Sequence, residues 1–240
     1  MTVTRPFPLD VYHYEPLAAD EGGMTAPPPL VHRSVRYGAW FIFVGAVQFV
    51  IANILVQLYF PNYSLATNYI SDLGNTVKSP EYLVFNISII LLGLLAFGGI
   101  LLAWSAFPRG GLRVTGLSLL LLASVGAIFV GLFPENVNGT IHSIASLLVF
   151  LPGGIALLAL GSSMNDQNHW GTAMRWFSIA LGVIILVSLA LFLFTTVGSA
   201  TYPGLFERVV VYPVLLWAIV VGVFLARIPI RARRHLVPGV

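Results

Sequence analysis

Six apolar stretches set the terms for any fold this chain can adopt. They cover about 40–60, 83–107, 114–133, 141–160, 176–196 and 209–225, and none holds a Lys, Arg, Asp or Glu well inside it. Each is close to the roughly 20 residues a helix needs to cross a hydrocarbon core. Backbone N–H and C=O groups in lipid must be paired within their own segment, which selects helices. Barrel strands would alternate in polarity and be about half as long. Composition agrees: 58% of residues are hydrophobic and 9% are charged, against about 25% charged in a soluble domain. The fold class that follows is all-α, a polytopic membrane protein built as a six-helix transmembrane bundle.

The stretches divide the chain into three parts. Residues 1–35 hold Pro6, Pro8, Pro16 and the run Pro27-Pro28-Pro29, with four acids and no apolar period. They read as a disordered N-terminal tail, without the basic start and apolar core of a signal peptide. Residues 36–228 form the membrane domain. Residues 229–240 are a short basic C-terminal tail. Basic residues set the orientation. Arg33, Arg36, Arg109, Arg113, Arg175, Arg227, Arg231, Arg233 and Arg234 all fall on one side of a six-span layout, and only Lys78 and Arg208 on the other. The positive-inside rule then puts both termini in the cytoplasm, with the plasma membrane as the expected site. Loops 61–82, 134–140 and 197–208 face outward.

Several chemistries are excluded. There is no cysteine, hence no disulfide, thiolate zinc site or cysteine nucleophile. Lys78, the one lysine, sits in a loop, so a retinal Schiff base within a helix is ruled out. The arginines are interface anchors and form no nucleic-acid patch. No Walker or dinucleotide glycine motif is present, and no GxSxG elbow surrounds Ser71. A haem between two membrane histidines lacks a second histidine in the spans. A three-histidine zinc site fails because His13, His32, His169 and His235 lie elsewhere. The residues name no cofactor and no metal, although His142 with Asp72, Glu135 or Glu207 leaves a carboxylate-rich ligand set conceivable.

The remaining candidates gather at the outer ends of the helices. Loop one, PNYSLATNYISDLGNTVKSPE, carries Ser71-Asp72-Leu73-Gly74. Asn68, Ser71 and Asp72 share the spacing of one helical turn, and Gly74 permits a left-handed or tight turn. Asp72 is either a cap in a wet loop or a functional carboxylate. Asn86 lies about one turn inside the second span and needs a partner there. Glu135 and His142 flank the turn between spans three and four. A histidine at the start of a membrane helix is a functional candidate by default, and it titrates near neutrality. Glu207 and Arg208 open the sixth span and point about 100° apart on a helix. They should therefore meet different partners: Arg208 pairs with Asp72 or Glu135, or clamps an anion bidentately. Pro152-Gly153-Gly154 should kink or thin span four.

In order along the chain, SDLG, Asn86, Gly131-Leu132-Phe133-Pro134-Glu135, His142 and Gly204-x-x-Glu207-Arg208 resemble a prokaryotic membrane family, domain of unknown function 998. The resemblance covers roughly residues 36–228 and implies six spans, with no settled reaction. A more distant similarity, through Ile70-Ser71-Asp72 and the following glycine, is to the damage-regulated autophagy modulator group and its lipid-anchor-remodelling relatives. Tyr69 stands where that group carries proline.

Together these features predict an integral membrane protein with a polar site in its outward half, binding or modifying a lipid or other amphiphile. Asp72, Glu135 and His142 are the catalytic candidates, with His142 or Asp72 as general base. Ser71, Asn86, Glu207 and Arg208 are the ligand-binding candidates. A non-catalytic accessory, sensor or structural subunit is the alternative. A small-solute transporter is weaker, because the span interiors lack ionisable residues. Whether the protein is an enzyme, and its oligomeric state, are left open.

Overall fold

A computed structural model of the chain describes residues 32–196 and 201–229. Six helices follow in order: α1 Arg33–Tyr59, α2 Tyr82–Ala103, α3 Gly111–Leu132, α4 Gly139–Ser163, α5 Gly171–Thr196 and α6 Pro203–Arg227. Short 3-10 turns occur at Ser71–Gly74 and Trp104–Ala106, and the described residues include no strand. All six helices are long and apolar enough to cross a membrane. The tails expected at 1–35 and 229–240 lie outside the described residues except at 32–35 and 229. There, α1 already begins at Arg33.

The helices outrun the apolar stretches that announce them. A 27-residue α1 is about 40 Å long at 1.5 Å per residue, beyond a hydrocarbon core of about 30 Å. Its extra turns hold Arg33, Arg36 and Tyr37, which suit the interface rather than the core. Pro152 and Pro213 lie inside α4 and α6 without ending either helix.

Each helix packs on its neighbours in sequence, and α6 returns to α1, closing a ring. Close approach depends on small residues. A Cβ on Gly99 of α2 would lie 2.9 Å from the Gly38 carbonyl of α1, and one on Gly93 would lie 2.6 Å from the Ser124 carbonyl of α3. With Gly131 beside Asn86, Gly116 beside Leu160, Gly161 beside Arg175 and Gly222 beside Ala39, these contacts show that α1 to α5 alternate in direction and that α6 runs antiparallel to α1. Arg33, Arg36, Arg109, Arg113, Arg175 and Arg227 therefore share one end of the ring, and loop one lies at the other.

Large apolar side chains cover the outer wall, among them Leu58, Phe41, Ile87 and Val187. Such a surface requires lipid rather than water. Inside, one core cluster fills the arginine end around Val35, Phe107, Leu160, Trp170 and Trp217. A second cluster at the other end joins Phe49, Val56, Phe85 and Leu215 to Ile70 and Leu73 of loop one. Loop one thus plugs the mouth of the ring with two apolar side chains.

Candidate functional site

The plug is held by local capping and by ties to α2, α6 and the α3–α4 turn. Asp72 Oδ2 accepts the Tyr69 N–H at 2.9 Å and Asn68 Nδ2 at 3.3 Å. Its other oxygen is 4.0 Å from Lys78 Nζ. Gly74 closes a 3-10 turn without positive φ, the tight rather than the left-handed of the two turns expected there. Its lack of a side chain serves packing instead. A Cβ would run into Asn86 Oδ1 and lie 2.9 Å from the Phe85 ring. Asn86 Nδ2 donates to the Gly74 carbonyl at 3.0 Å, satisfying a buried acceptor that would otherwise cost about 1–3 kcal/mol. Thr76 and Asn136 exchange hydrogen bonds of 3.1 and 2.8 Å, joining loop one to the α3–α4 turn.

Glu207 and Arg208 are both buried and do diverge. Glu207 accepts the Ile70 backbone N–H. Arg208 Nη1 donates to the Asn68 and Gly204 carbonyls at 2.9 and 2.8 Å, and Nη2 donates to the Tyr63 hydroxyl at 2.5 Å. Its guanidinium also lies 5.5 Å from the Tyr63 ring centre. Among the described residues Arg208 forms no ion pair with Asp72 or Glu135. Its terminal nitrogens are spent on the Asn68 carbonyl and Tyr63 hydroxyl of loop one and on the Gly204 carbonyl of its own helix, while Nε is buried without a partner among the described residues. Burial, opposed by Arg208, pushes the Tyr63 phenol up to about 12. Tyr63 therefore stays protonated and donates to the Tyr69 carbonyl at 2.9 Å.

His142 lies in the first turn of α4. Asn138 caps this helix by accepting the Ile141 N–H at 3.1 Å. The ring is 6% exposed, and Nδ1 is 3.0 Å from the Phe133 carbonyl. A carbonyl can only accept, so Nδ1 carries the proton. In the neutral ring Nε2 then keeps its lone pair, and it has no hydrogen-bond partner among the described residues.

His142 lines a cavity of about 280 Å³ between α4, α5 and loop one. Tyr69, Ser71, Glu135, Ser143, Ser146 and Glu207 complete its polar part, and Leu147, Phe150, Leu189, Phe192 and Leu193 its apolar part. Ser71 Oγ donates to Glu135 Oε2 at 3.4 Å. Burial first, then the negative charges of Glu207, Glu135 and Asp72, hold the Tyr69 phenol above its ordinary value. A narrower cavity of about 70 Å³ shares Ser71, His142, Ser146 and Glu207 with this one. It continues toward a third of about 80 Å³, lined by apolar side chains such as Leu92, Leu120 and Val214.

Four sequence-derived candidates thus meet in one cavity: Ser71, Glu135, His142 and Glu207. Asp72, Asn86 and Arg208 lie behind it and fix the course of loop one. No three His, Asp or Glu among the described residues converge closely enough to hold a metal ion. Sequence reasoning passed over Tyr69 and Ser146. Ser146 is four residues beyond His142, hence on the same helix face, and that spacing was the available signal.

The family model described as Protein of unknown function (DUF998) matches residues 43–224, most of the chain. The chain belongs to this family. The DUF998 match spans α1 to α6 and contains all seven candidate residues. No curated protein and no solved structure matches the chain, so the wider likeness to the autophagy modulator group gains no support. The DUF998 assignment supplies a family without a reaction, and the geometry must carry any functional reading.

Proposed function

We propose that this membrane protein binds an amphiphile by its polar end in the cavity between α4 and α5. The observation that carries the reading is the mixed lining. Buried His142 and Glu207 stand on one side, while Leu147 and Leu193 on the other are 41% and 48% exposed. Those leucines belong to the wall that meets lipid, so a ligand can enter sideways with its apolar part still in the bilayer. The arginine distribution supports reading this end, and with it the cavity, as the outward half of the membrane. A transport path finds less support, because the innermost cavity has no ionisable lining residue, and such paths usually need one near the midplane.

The test is ligand retention. The protein is extracted into nanodiscs with native lipid and its bound small molecules are weighed by native mass spectrometry. An amphiphile should leave with the wild-type protein and be lost from Ser146→Phe, which fills the cavity, at unchanged unfolding temperature. No adduct, or equal adducts in both proteins, would refute the reading.

The His142 ring favours a second reading, in which the bound amphiphile is also chemically altered. Nδ1 is held by a carbonyl and Nε2 is left as a base on the cavity wall, the arrangement general base catalysis needs. His142→Gln should then keep the adduct and lose turnover.

A further inference from the structure

We infer that the amphiphile held in the α4–α5 cavity carries an ammonium group as its polar end, rather than a phosphate. This deepens the amphiphile reading and rests on it.

The ionisable side chains in the lining offer a ligand acceptors, and the hydroxyls of Tyr69, Ser71, Ser143 and Ser146 serve either as donors or as acceptors. Glu135 and Glu207 bring two carboxylates to the lining. The Ile70 N–H donates to Glu207, the Ser71 backbone also bonds this carboxyl, and the side chain is only 7% exposed. His142 adds Nε2, which has no partner among the described residues and belongs to a ring 6% exposed. No Lys or Arg lines the cavity. Arg208 is the nearest sequence candidate for an anion clamp, but its two terminal nitrogens are engaged by Asn68, Gly204 and Tyr63. Lys78 lies on the far side of Asp72 and is itself exposed. A phosphate entering here would meet the Glu135 carboxylate and no counter-charge. An ammonium would meet three acceptors. The lining also holds the aromatic rings of Tyr69, Phe150 and Phe192, a residue type whose faces attract cations.

The same group could belong to a membrane lipid or to a water-soluble amine, and the probes separate the two. Protein in dodecyl maltoside micelles is titrated with n-dodecylammonium, n-dodecyl phosphate and n-propylammonium, and heat of binding is recorded. Dodecylammonium should saturate one site. Glu135→Gln should weaken it about five- to tenfold, as expected for loss of one partly exposed charge pair, and Glu207→Gln by at least as much. Glu135 is exposed in a turn, so its variant keeps the test valid even if Glu207→Gln fails to fold. Dodecyl phosphate should bind at least about tenfold more weakly. Equal binding of dodecyl phosphate, abolished by Ser146→Phe, would overturn the ammonium assignment and leave the amphiphile reading standing. Dodecylammonium binding that ignores Glu135→Gln would also overturn it. Propylammonium binding as tightly as dodecylammonium would support the ammonium chemistry and refute the amphiphile source.

Discussion

Replacing Gly204 by alanine separates this structure from a sequence-only expectation. Gly204 is in the first turn of α6, where helix propensity alone makes alanine the better residue by about 0.5–1 kcal/mol. The structure gives the opposite sign. A Cβ there would overlap the Asn68 carbonyl oxygen and lie 2.8 Å from both the Leu65 carbonyl and Arg208 Nη1. Two of these obstacles are backbone atoms of loop one and cannot rotate away. Relief requires the loop to retreat from α6, an overpacking cost of about 1–3 kcal/mol. The same shift strains the 2.9 Å bonds from the Gly204 N–H to Ala66 and from Arg208 to Asn68, the second being charge-assisted and worth about 1.5–3 kcal/mol. A net loss of about 1–4 kcal/mol follows. Gly139→Ala is the control, since Gly139 also opens a helix and its added Cβ meets nothing within 4 Å. Both variants are unfolded in mixed dodecyl maltoside and dodecyl sulfate micelles, with protease cleavage in loop one as second readout. Gly204→Ala as stable and as protease-resistant as Gly139→Ala would refute the docking of loop one on α6.

Two further outcomes follow from the same structure. The chain has no cysteine, so single cysteines report topology without background: Val77→Cys should react with an impermeant maleimide on intact cells and Gln167→Cys only after permeabilisation, and the reverse pattern would overturn the orientation. At the arginine end, burial holds the His169 imidazole below its ordinary 6.5, beside Trp170 and Phe224. The unfolded chain therefore binds the proton first, and this contribution to stability is whole above the ordinary value and lost as pH falls through the depressed one. Unfolding measured at about pH 7 and pH 5 should show His169→Phe flattening that loss, and an unchanged pH slope would contradict the burial of the ring.

The number and kind of elements were legible because hydrocarbon thickness fixes how many apolar residues a span needs. Helix ends were less so. The first span reads as starting near residue 40, yet α1 begins at Arg33, since Arg36 and Tyr37 prolong a helix outside the hydrocarbon where hydropathy is silent. Pro203 at the start of α6 was a readable signal, because proline suits the first helical turn. The divergence of Glu207 from Arg208 followed from 100° per residue, whereas their partners depended on the path of loop one, which no periodicity encodes. For that reason Asp72, Asn86 and Arg208 could not be sorted from Ser71, Glu135 and His142 by sequence position. Gly74 was read for its backbone freedom, while the structure uses its missing Cβ. Ser146 sits within an apolar run, where only its four-residue spacing from His142 marks it.

The most direct measurement is an experimental density map of the protein in a nanodisc of native lipid. The account predicts elongated density in the α4–α5 cavity. One end should lie within about 2.7–3.2 Å of His142 Nε2 or Glu207, and the other should pass between Leu147 and Leu193 into the bilayer. Water-sized density alone in the cavity, with lipid confined to the outer wall of the ring, would contradict it.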